Sequence, residues 1–177
     1  MTTDPHSLNT LRGEYPGLGG EWDVVHHTEI LVELLEAGRI PLRGRLDQRV
    51  TYHDPCHLGR LQGEYDNPRR ILELLGCTLV EMPRNRDNSF CCGAGGGRIW
   101  ADEEAGAERP SEARIREALG LSNVDVFVVS CPKDVAMYEA AIKSSGNDRA
   151  IRLREVTELV AEAGVGEAAT AGAGAAG

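Results

Sequence analysis

The sequence predicts an α/β fold in which a mainly parallel sheet is flanked by helices. Runs rich in aliphatic and β-branched residues alternate with stretches of helical periodicity, which is the pattern of parallel strands joined by helices. The most strand-like run, residues 125–130, is almost continuously apolar, as expected for a strand buried on both faces. With 177 residues, of which 41% are hydrophobic, we expect one domain with short appendages.

Residues 1–42 are expected to contain two helices separated by a short strand. A helix over 8–14 is interrupted by Pro16 and the glycines after it. The run 22–25 suits a strand, and the apolar periodicity that follows predicts a helix ending at Gly38.

The middle of the chain again alternates strand and helix. Residues 49–53 alternate in polarity and stop at Asp54-Pro55, so this strand delivers Cys56 to the loop beyond its carboxyl end. Open α/β sheets keep their sites at that end of their strands. Asn67-Pro68 combines a cap residue with proline at the first helical position. The elements expected next are a helix that ends at Gly76 and a strand over 77–82.

A second cysteine loop follows the strand over 125–130. That strand leads directly into Cys131-Pro132-Lys133-Asp134, again beyond a carboxyl end. Residues 165–177 are rich in glycine and alanine and have no apolar periodicity, so we expect a disordered tail. The remaining expected elements are helices over 109–119, 135–143 and 155–163 and a strand over 150–153.

A weak internal repeat relates the two ends of the chain. Cys131-Pro-Lys-Asp134 is followed by a helix, a strand and a second helix, and Asp4-Pro-His-Ser7 is followed by the same order of elements. The sequence therefore predicts three parts. They are the tail of a truncated first repeat at residues 1–42, a complete unit at residues 49–164, and the Gly/Ala tail at residues 165–177.

Composition and charge restrict the possible functions. The formal net charge of -9 disfavours nucleic acid as a partner, since affinity for phosphate backbones comes from clustered Lys and Arg. No apolar run is long enough to cross a bilayer, and the amino terminus lacks the features of a signal peptide. We therefore expect a cytoplasmic protein. Five cysteines without an export signal favour metal or redox chemistry over disulfides.

Four of the cysteines lie where loops meet regular elements. The stretches that separate Cys56 from Cys91, and Cys92 from Cys131, are each about as long as one strand–helix–strand unit. Three loops could therefore converge at one edge of the sheet. The fifth cysteine, Cys77, begins a strand after a helix-ending glycine and is interpreted as a small buried hydrophobic residue.

Several chemistries remain open for the stretch from Cys91-Cys92 to Arg98. Structural zinc sites usually take cysteines from Cys-x-x-Cys pairs, and none occurs here. A phosphate loop is disfavoured because Arg98 replaces the third glycine and Gly-Lys-Ser/Thr is absent. Adjacent cysteines can reach different irons of a cluster, which glycine amides can cradle. His53 and His57 beside Cys56 also allow a Cys–His nucleophile pair.

Three motifs together resemble the cysteine-rich CCG domain of the heterodisulfide reductases and their relatives. They are Tyr52-His-Asp-Pro-Cys56-His-Leu-Gly59, Phe90-Cys-Cys-Gly-Ala-Gly-Gly96 and Cys131-Pro-Lys-Asp134. Those relatives include iron-sulfur subunits of glycolate, lactate and glycerol-3-phosphate oxidoreductases and dehydrogenases that accept electrons from electron-transfer flavoprotein. The family commonly has two such domains in tandem, which agrees with the internal repeat.

The resemblance implies an iron-sulfur cluster, in the first place 4Fe-4S. The family's closing Cys-x-x-Cys is replaced here by Cys131-Pro-Lys-Asp134, which removes the fifth thiolate that non-cubane clusters use. Asp134 is then either a weak oxygen ligand or the first-turn acid of a helix, and we favour the second. The implied metal ligands are Cys56, Cys91, Cys92 and Cys131, and the implied cofactor-binding glycines are Gly93, Gly95 and Gly96.

The resemblance also implies an electron-transfer module of a heterodisulfide-reductase-like oxidoreductase. Such a module passes electrons between a flavin or cluster donor and a quinone, a disulfide or a partner subunit. The implied partners are other subunits or a missing amino-terminal half, with a flavoprotein as donor and with membrane contact only through these partners. Two alternatives stay open: a cluster-free structural or interaction module, and a dithiol–disulfide reductase that uses Cys91 and Cys92.

Overall fold

The computed structural model describes residues 1–101 and 106–164. Within these ranges a four-stranded sheet in the order β2-β1-β3-β4 has parallel pairing throughout. This confirms the α/β fold class and the parallel sheet. The expected disordered tail at residues 165–177 lies outside the described residues. The strands are β1 (Arg49–Tyr52), β2 (Thr78–Leu79), β3 (Val126–Val129) and β4 (Arg152–Glu155).

Helices cover both faces of the sheet. Among the residues that the structure describes, no helix combines the length and apolar character needed to cross a bilayer. The α-helices are α1 (Pro5–Gly13), α2 (His27–Glu36), α3 (Asp66–Leu74), α4 (Pro110–Leu119), α5 (Pro132–Ser144) and α6 (Val156–Gly164). The shorter helices are 3₁₀ turns at Tyr15–Leu18, Arg86–Asn88 and Arg98–Trp100 and a π-helix at His57–Leu61.

The central strand β3 contributes to two apolar cores. Its alternate residues point to opposite faces, so Val126 and Val128 pack with α2, α3 and α6, while Phe127 and Val129 pack with α4 and α5. All four of these residues are buried, which confirms a strand covered on both faces.

The order of the strands creates a crevice between β1 and β3. After β1 the chain continues to α3 on one face of the sheet, and after β3 it continues to α5 on the other face. Because β1 and β3 are neighbours in the sheet, this is a topological switch point, where open α/β folds form their sites. Cys56 follows β1 and Cys131 follows β3, so the fold brings both cysteines to this crevice.

Four local predictions differ from the structure. Asn67 is not the cap residue of α3, because this helix already begins at Asp66, with Tyr65 as its N-cap residue. Residues 22–25 are not a strand, because their partner segment at the amino terminus pairs only through one isolated bridge between Thr2 and His26. Strand β2 is shorter than the expected 77–82, because this edge strand pairs only with Arg49 and Val50 of β1. Helix α5 begins at Pro132 rather than at residue 135, with Cys131 as its N-cap residue.

Candidate metal centre

Three cysteine side chains are in direct contact. The thiols of Cys56 and Cys92 both donate hydrogen bonds to the sulfur of Cys91. These two bonds lower the pKa of Cys91, and they raise the pKa of Cys56 and of Cys92 because each donor must keep its proton. The structure therefore brings together sulfur atoms from the loop after β1 and from the adjacent cysteine pair.

Cys131 joins this group from the start of α5. Its side chain is buried, and the backbone N–H groups of Lys133 and Asp134 donate to its sulfur. Burial raises the pKa of the Cys131 thiol to about 12. A helix amino terminus favours negative charge, so it suits a sulfur that becomes an anionic ligand. These amide donors were not expected from the sequence, although Pro132 signalled that a helix starts here.

Asp134 is a common neighbour of all four of these cysteines. Its negative charge opposes ionisation of Cys56, Cys92 and Cys131. The charge of Cys91 in turn raises the pKa of the Asp134 carboxyl group. The side chain lies in the first turn of α5, as expected for a first-turn acid, but it is also buried. Burial raises the pKa of its carboxyl to about 7. The four cysteines and this carboxyl group form what we call the cysteine centre.

The glycine-rich turn supports two of the sulfurs through its first amides. Gly93 donates to Cys91 Sγ at 3.3 Å, and Ala94 donates to the sulfur of Cys92. Gly93 has φ +87°, and a Cβ atom there would lie 3.2 Å from the ring of Pro110. Only glycine fits both constraints. Ala94 was not singled out in the sequence, because its side chain gives no sign that its amide is used.

Gly95 and Gly96, also expected to approach a cofactor, occupy a different place. No hydrogen bond to a cysteine sulfur from either amide occurs in the described part of the chain. Gly95 instead lines a cavity of about 370 Å³ that reaches Cys91. The expectation that these two glycines approach a cofactor stays a prediction. The other residues around this cavity are Gly93, Arg98, Glu108 and Pro110.

A hydrogen-bonded junction holds the two cysteine loops together. Ser89 Oγ donates to the carbonyl of Asp54 at 2.8 Å, and the Arg86 amide donates to Asp54 Oδ2 at 2.7 Å. Arg60, on the π-helix after Cys56, also donates to the carbonyl oxygens of residues 87 and 89. These bonds connect the loop after β1 to the turn that precedes the cysteine pair. The only signal in the sequence was a charged residue, Asp54, at the end of a buried strand.

The amino-terminal turn forms one wall of the centre. Lys133 Nζ lies 3.3 Å from both carboxylate oxygens of Asp4, and the ring of His6 stacks on the ring of His57 at 3.8 Å between centroids. Ligand atoms of Asp4, His6 and Cys131 all lie within 4.8 Å of one another. Residues well before the cysteine motifs therefore enclose the centre.

The structure disfavours a Cys–His nucleophile pair. His53 is buried and bonds to the Tyr138 hydroxyl at 3.2 Å and to Arg114 Nε at 3.3 Å, so it does not serve as a base for Cys56. His57 Nδ1 lies 3.4 Å from Cys56 Sγ. The Cys56 thiol is however engaged with the sulfur of Cys91, and burial lowers the pKa of His57. His57 has a lowered pKa and competes with the Cys91 sulfur for the proton of the Cys56 thiol. It is therefore poorly suited to activate Cys56 as a nucleophile.

Cys77 lies apart from the cysteine centre. It packs against the apolar core formed by α2, α3 and α6, before strand β2. Burial raises the pKa of its thiol to about 11. This placement agrees with its interpretation as a small hydrophobic residue.

Comparison with known proteins assigns a family to this part of the chain. Residues 50–133 match the family model described as a cysteine-rich domain, CCG. The chain contains a CCG domain. The match includes Cys56, Cys91, Cys92 and Cys131, and it ends one residue before Asp134.

Relatives of the CCG domain and its flanks are iron-sulfur oxidoreductases by name. The chain is 40% identical over 167 residues to the "Probable iron-sulfur-binding oxidoreductase FadF" of Bacillus subtilis. The aligned region covers 94% of this chain and 23% of that protein. It is 35% identical over 162 residues to the "EtfAB:quinone oxidoreductase" of Syntrophomonas wolfei, covering 88% of this chain and 22% of that protein.

A third relative comes from an archaeon. The chain is 36% identical over 157 residues to a subunit of the dihydromethanophenazine:CoB--CoM heterodisulfide reductase of Methanosarcina barkeri, covering 85% of this chain and 37% of that protein. The chain thus spans less than two fifths of the length of each of these three relatives. No solved structure matches it.

Proposed function

We propose that the CCG domain binds an iron-sulfur cluster and serves as an electron-transfer module of a larger oxidoreductase. The observation that carries this proposal is the convergence of four cysteine thiols and one carboxyl group at the switch point of the sheet. Four thiolates are the ligand set of 4Fe-4S clusters. The names of the relatives, which include iron-sulfur-binding oxidoreductases, support the same cofactor.

The residues present fit a buried, negatively charged cofactor. Amide donors already point at three of the sulfurs, from Gly93, Ala94 and the first turn of α5. The turn at Gly93 closes so tightly on Pro110 that a Cβ atom would disturb it. Hydrogen bonds to ligand sulfurs and burial are the means by which a protein sets the potential of a cluster. When bound, the cluster supplies reversible one-electron storage.

The protein's own groups orient the ligands and provide a route to the surface. Arg60 favours the ionised form of Cys56, and Arg114 and Lys133 act in the same sense on Asp134. Of the cysteines in the centre, Cys92 and Cys131 are buried, whereas Cys91 lines the open cavity beside Gly95. Electron exchange with a partner would therefore follow the side of Cys91, because this half-buried side chain lines a cavity that is open to solvent.

The wider organisation is also part of this proposal. Asp4 and Pro5 start α1 as Cys131 and Pro132 start α5, which supports a common origin of residues 1–42 and the end of the CCG domain at residues 49–164. Since the relatives are several times longer, we propose that the partners are the rest of a longer oxidoreductase or other subunits, a flavoprotein donor, and a quinone or disulfide acceptor. One relative is named a membrane-anchored ferredoxin, which agrees with membrane contact through such partners.

Anaerobic purification after iron and sulfide reconstitution tests the cofactor. The loaded protein should be brown and contain about four irons and four sulfides per chain. Changing Cys91 to Ser should remove most of the iron, since the variant lacks the sulfur atom that contacts both Cys56 and Cys92. Cys77→Ser is the matched control, because it removes a cysteine that lies outside the centre, and it should retain the wild-type iron content and absorption spectrum.

The outcomes separate the competing functions. A folded wild-type protein that stays colourless and free of iron would reject the cluster and favour the cluster-free interaction module. A metal-free protein that reduces small disulfides, and loses this activity in both Cys91→Ser and Cys92→Ser, would favour the dithiol reductase. Equal iron loss in Cys77→Ser and Cys91→Ser would show that membership of the cysteine centre does not distinguish the cysteines that bind iron from the one that does not.

A further inference from the structure

We infer that Asp134 is an oxygen ligand of the metal cofactor, which completes the cysteine centre together with the four thiolates. This inference rests on the proposed function and goes beyond it, since a 4Fe-4S cluster needs four protein ligands and the centre offers five. It also reverses the interpretation that the sequence favoured, in which Asp134 acts as a first-turn acid of helix α5.

The first observation is an orphaned buried oxygen. Asp134 is 2% exposed, and its Oδ2 atom has no hydrogen-bond partner in the part of the chain that the structure describes. The carboxyl group accepts one side-chain hydrogen bond from a cysteine of the centre, the thiol of Cys92, which cannot donate once it is ionised as a metal ligand. Buried carboxylate oxygens are nearly always paired, because an unpaired buried charge loses its hydration without compensation. An oxygen of this kind beside the four thiols of the centre is suited to bind a metal cation together with them.

The second observation is that the nearby basic groups form no hydrogen bond with this oxygen. His53 Nε2 lies 3.7 Å from Asp134 Oδ2, beyond hydrogen-bond distance, and its ring bonds instead to the Tyr138 hydroxyl at 3.2 Å. Arg114 donates to the carbonyl of Arg84 and pairs with Glu117 at 3.0 Å. Neither basic group therefore forms a hydrogen bond with Asp134 Oδ2.

The remaining nearby cation is also engaged elsewhere. Lys133 precedes Asp134 in α5, but its ammonium group lies against both carboxylate oxygens of Asp4. Its side chain is 39% exposed, whereas that of Asp134 is 3% exposed, so the two neighbours point into different surroundings. Lys133 therefore connects the amino-terminal turn to α5 and does not form a hydrogen bond with Asp134 Oδ2.

The chemistry of the carboxylate suits this role. Carboxylates bind iron, and ligands other than cysteine occur in iron-sulfur centres, where they change the electronic properties of the iron that they bind. A helix start explains the charge of Asp134 but does not explain its missing hydrogen bond, since a first-turn acid is equally stabilised when solvent covers its oxygens. Ligation explains the charge, the burial and the orphaned oxygen together.

The test compares three variants of the reconstituted protein labelled with ⁵⁷Fe. Asp134→Asn keeps the shape of the side chain but removes its charge, and Asp134→Cys replaces the carboxylate by a thiolate of similar reach. Glu112→Gln is the control, because Glu112 is a first-turn acid of α4 that caps its own helix and lies outside the centre. The readouts are Mössbauer and EPR spectra, the midpoint potential and the rate of iron loss to a chelator.

If Asp134 is a ligand, the wild-type Mössbauer spectrum contains an iron site that differs from the sites whose protein ligands are thiolates alone. Asp134→Asn should alter this site and speed iron loss about tenfold or more, the scale found when groups that support a metal are removed. Asp134→Cys should make the same site resemble the others and should restore slow iron loss. Glu112→Gln should leave all these properties at wild-type values.

Two results would overturn the inference. One is a set of Mössbauer and EPR spectra that are identical in the wild type, Asp134→Asn and Asp134→Cys. The other is a shift of the midpoint potential in Asp134→Asn without any change of the spectra, which would make Asp134 a neighbouring charge and not a ligand. An iron-free wild-type protein would reject the proposed function itself, and the two failures are therefore distinguishable.

Discussion

Arg69 on α3 binds Asp54 through two hydrogen bonds, 2.6 Å from Nη1 to Oδ1 and 2.9 Å from Nη2 to Oδ2. The same guanidinium binds Glu81 beyond β2, with 2.7 Å from Nε to Oε1. Asp54 is buried two residues before Cys56. One side chain on a helix thus anchors the strand end that delivers the first cysteine to the centre.

Replacing Arg69 by Met should destabilise the protein strongly. The change leaves the Asp54 carboxylate buried without its main cation, which typically costs about 3 to 5 kcal/mol. Urea denaturation measures the free energy of unfolding. Arg70→Met is the control, because Arg70 pairs with Glu36 and Glu73 at the surface, where solvent screens the ion pairs and their loss has little effect on stability. Equal losses in both variants would show that the Arg69–Asp54 pair is not an anchor.

Gly93→Ala should distort the turn that carries the cysteine pair. A non-glycine residue at φ +87° is strained by roughly 1 to 2 kcal/mol, and the new Cβ atom would also press on Pro110. Because the Gly93 amide donates to Cys91 Sγ, a shift of this turn should lower the bound iron per chain as well as the stability. Iron analysis and urea denaturation of the reconstituted protein measure both effects.

Gly95→Ala is the matched control for this prediction. It lies two residues further along the same turn, has no positive φ, and a Cβ atom there would meet nothing within 4 Å. Iron content and stability should therefore stay close to those of the wild type. If Gly95→Ala loses as much iron as Gly93→Ala, the turn is sensitive to any side chain and the strain at Gly93 is not the cause.

His26 should make the stability depend on pH. Burial and the neighbouring His27 lower its pKa to about 4 from the usual 6.5. Its two ring nitrogens lie 2.7 Å from Thr28 Oγ1 and 3.3 Å from the Thr3 carbonyl, an arrangement that suits a neutral ring. Between pH 6.5 and pH 4 this histidine is therefore protonated in the unfolded chain but neutral in the folded chain. The free energy of unfolding consequently falls as the pH drops toward 4.

The size of this effect can be measured with a variant. Between pH 7 and pH 5, His26 alone should remove about 2 kcal/mol from the free energy of unfolding. His26→Gln retains polar atoms but cannot take up this proton, so its stability should fall by about 2 kcal/mol less over the same range. Denaturation curves at both pH values give the comparison, and parallel losses in the two proteins would contradict the assignment to His26.

Tyr52→Phe should weaken the junction of the two central strands without removing iron. The Tyr52 hydroxyl lies 2.7 Å from Ser130 Oγ, and both groups are buried. Deleting one partner leaves the other unsatisfied, which costs about 1 to 3 kcal/mol. Tyr65→Phe is the control, since no hydrogen bond of the Tyr65 hydroxyl occurs in the described part of the chain. Loss of iron in Tyr52→Phe would show that this bond also positions the cysteines.

The parallel α/β fold could be predicted because the chain alternates strong local patterns. Apolar β-branched runs indicated β1 and β3, and proline or glycine marked the ends of most helices. The short strand expected at residues 22–25 failed for a physical reason: a strand needs a partner, and local propensity does not reveal whether one is available. The same limit explains why β2 pairs over only two residues.

The sequence by itself determined the alternation of strands and helices from β1 onward, the loops that carry Cys56, the Cys91–Cys92 pair and Cys131, and the separation of Cys77 from them. These features depend on local patterns and on the rule that parallel strands end at one edge of the sheet. Only the tertiary structure decided the environment of Asp134. Its burial and its proximity to Cys56, Cys91 and Cys92 arise from contacts between segments that are distant in sequence, and no local pattern encodes such contacts.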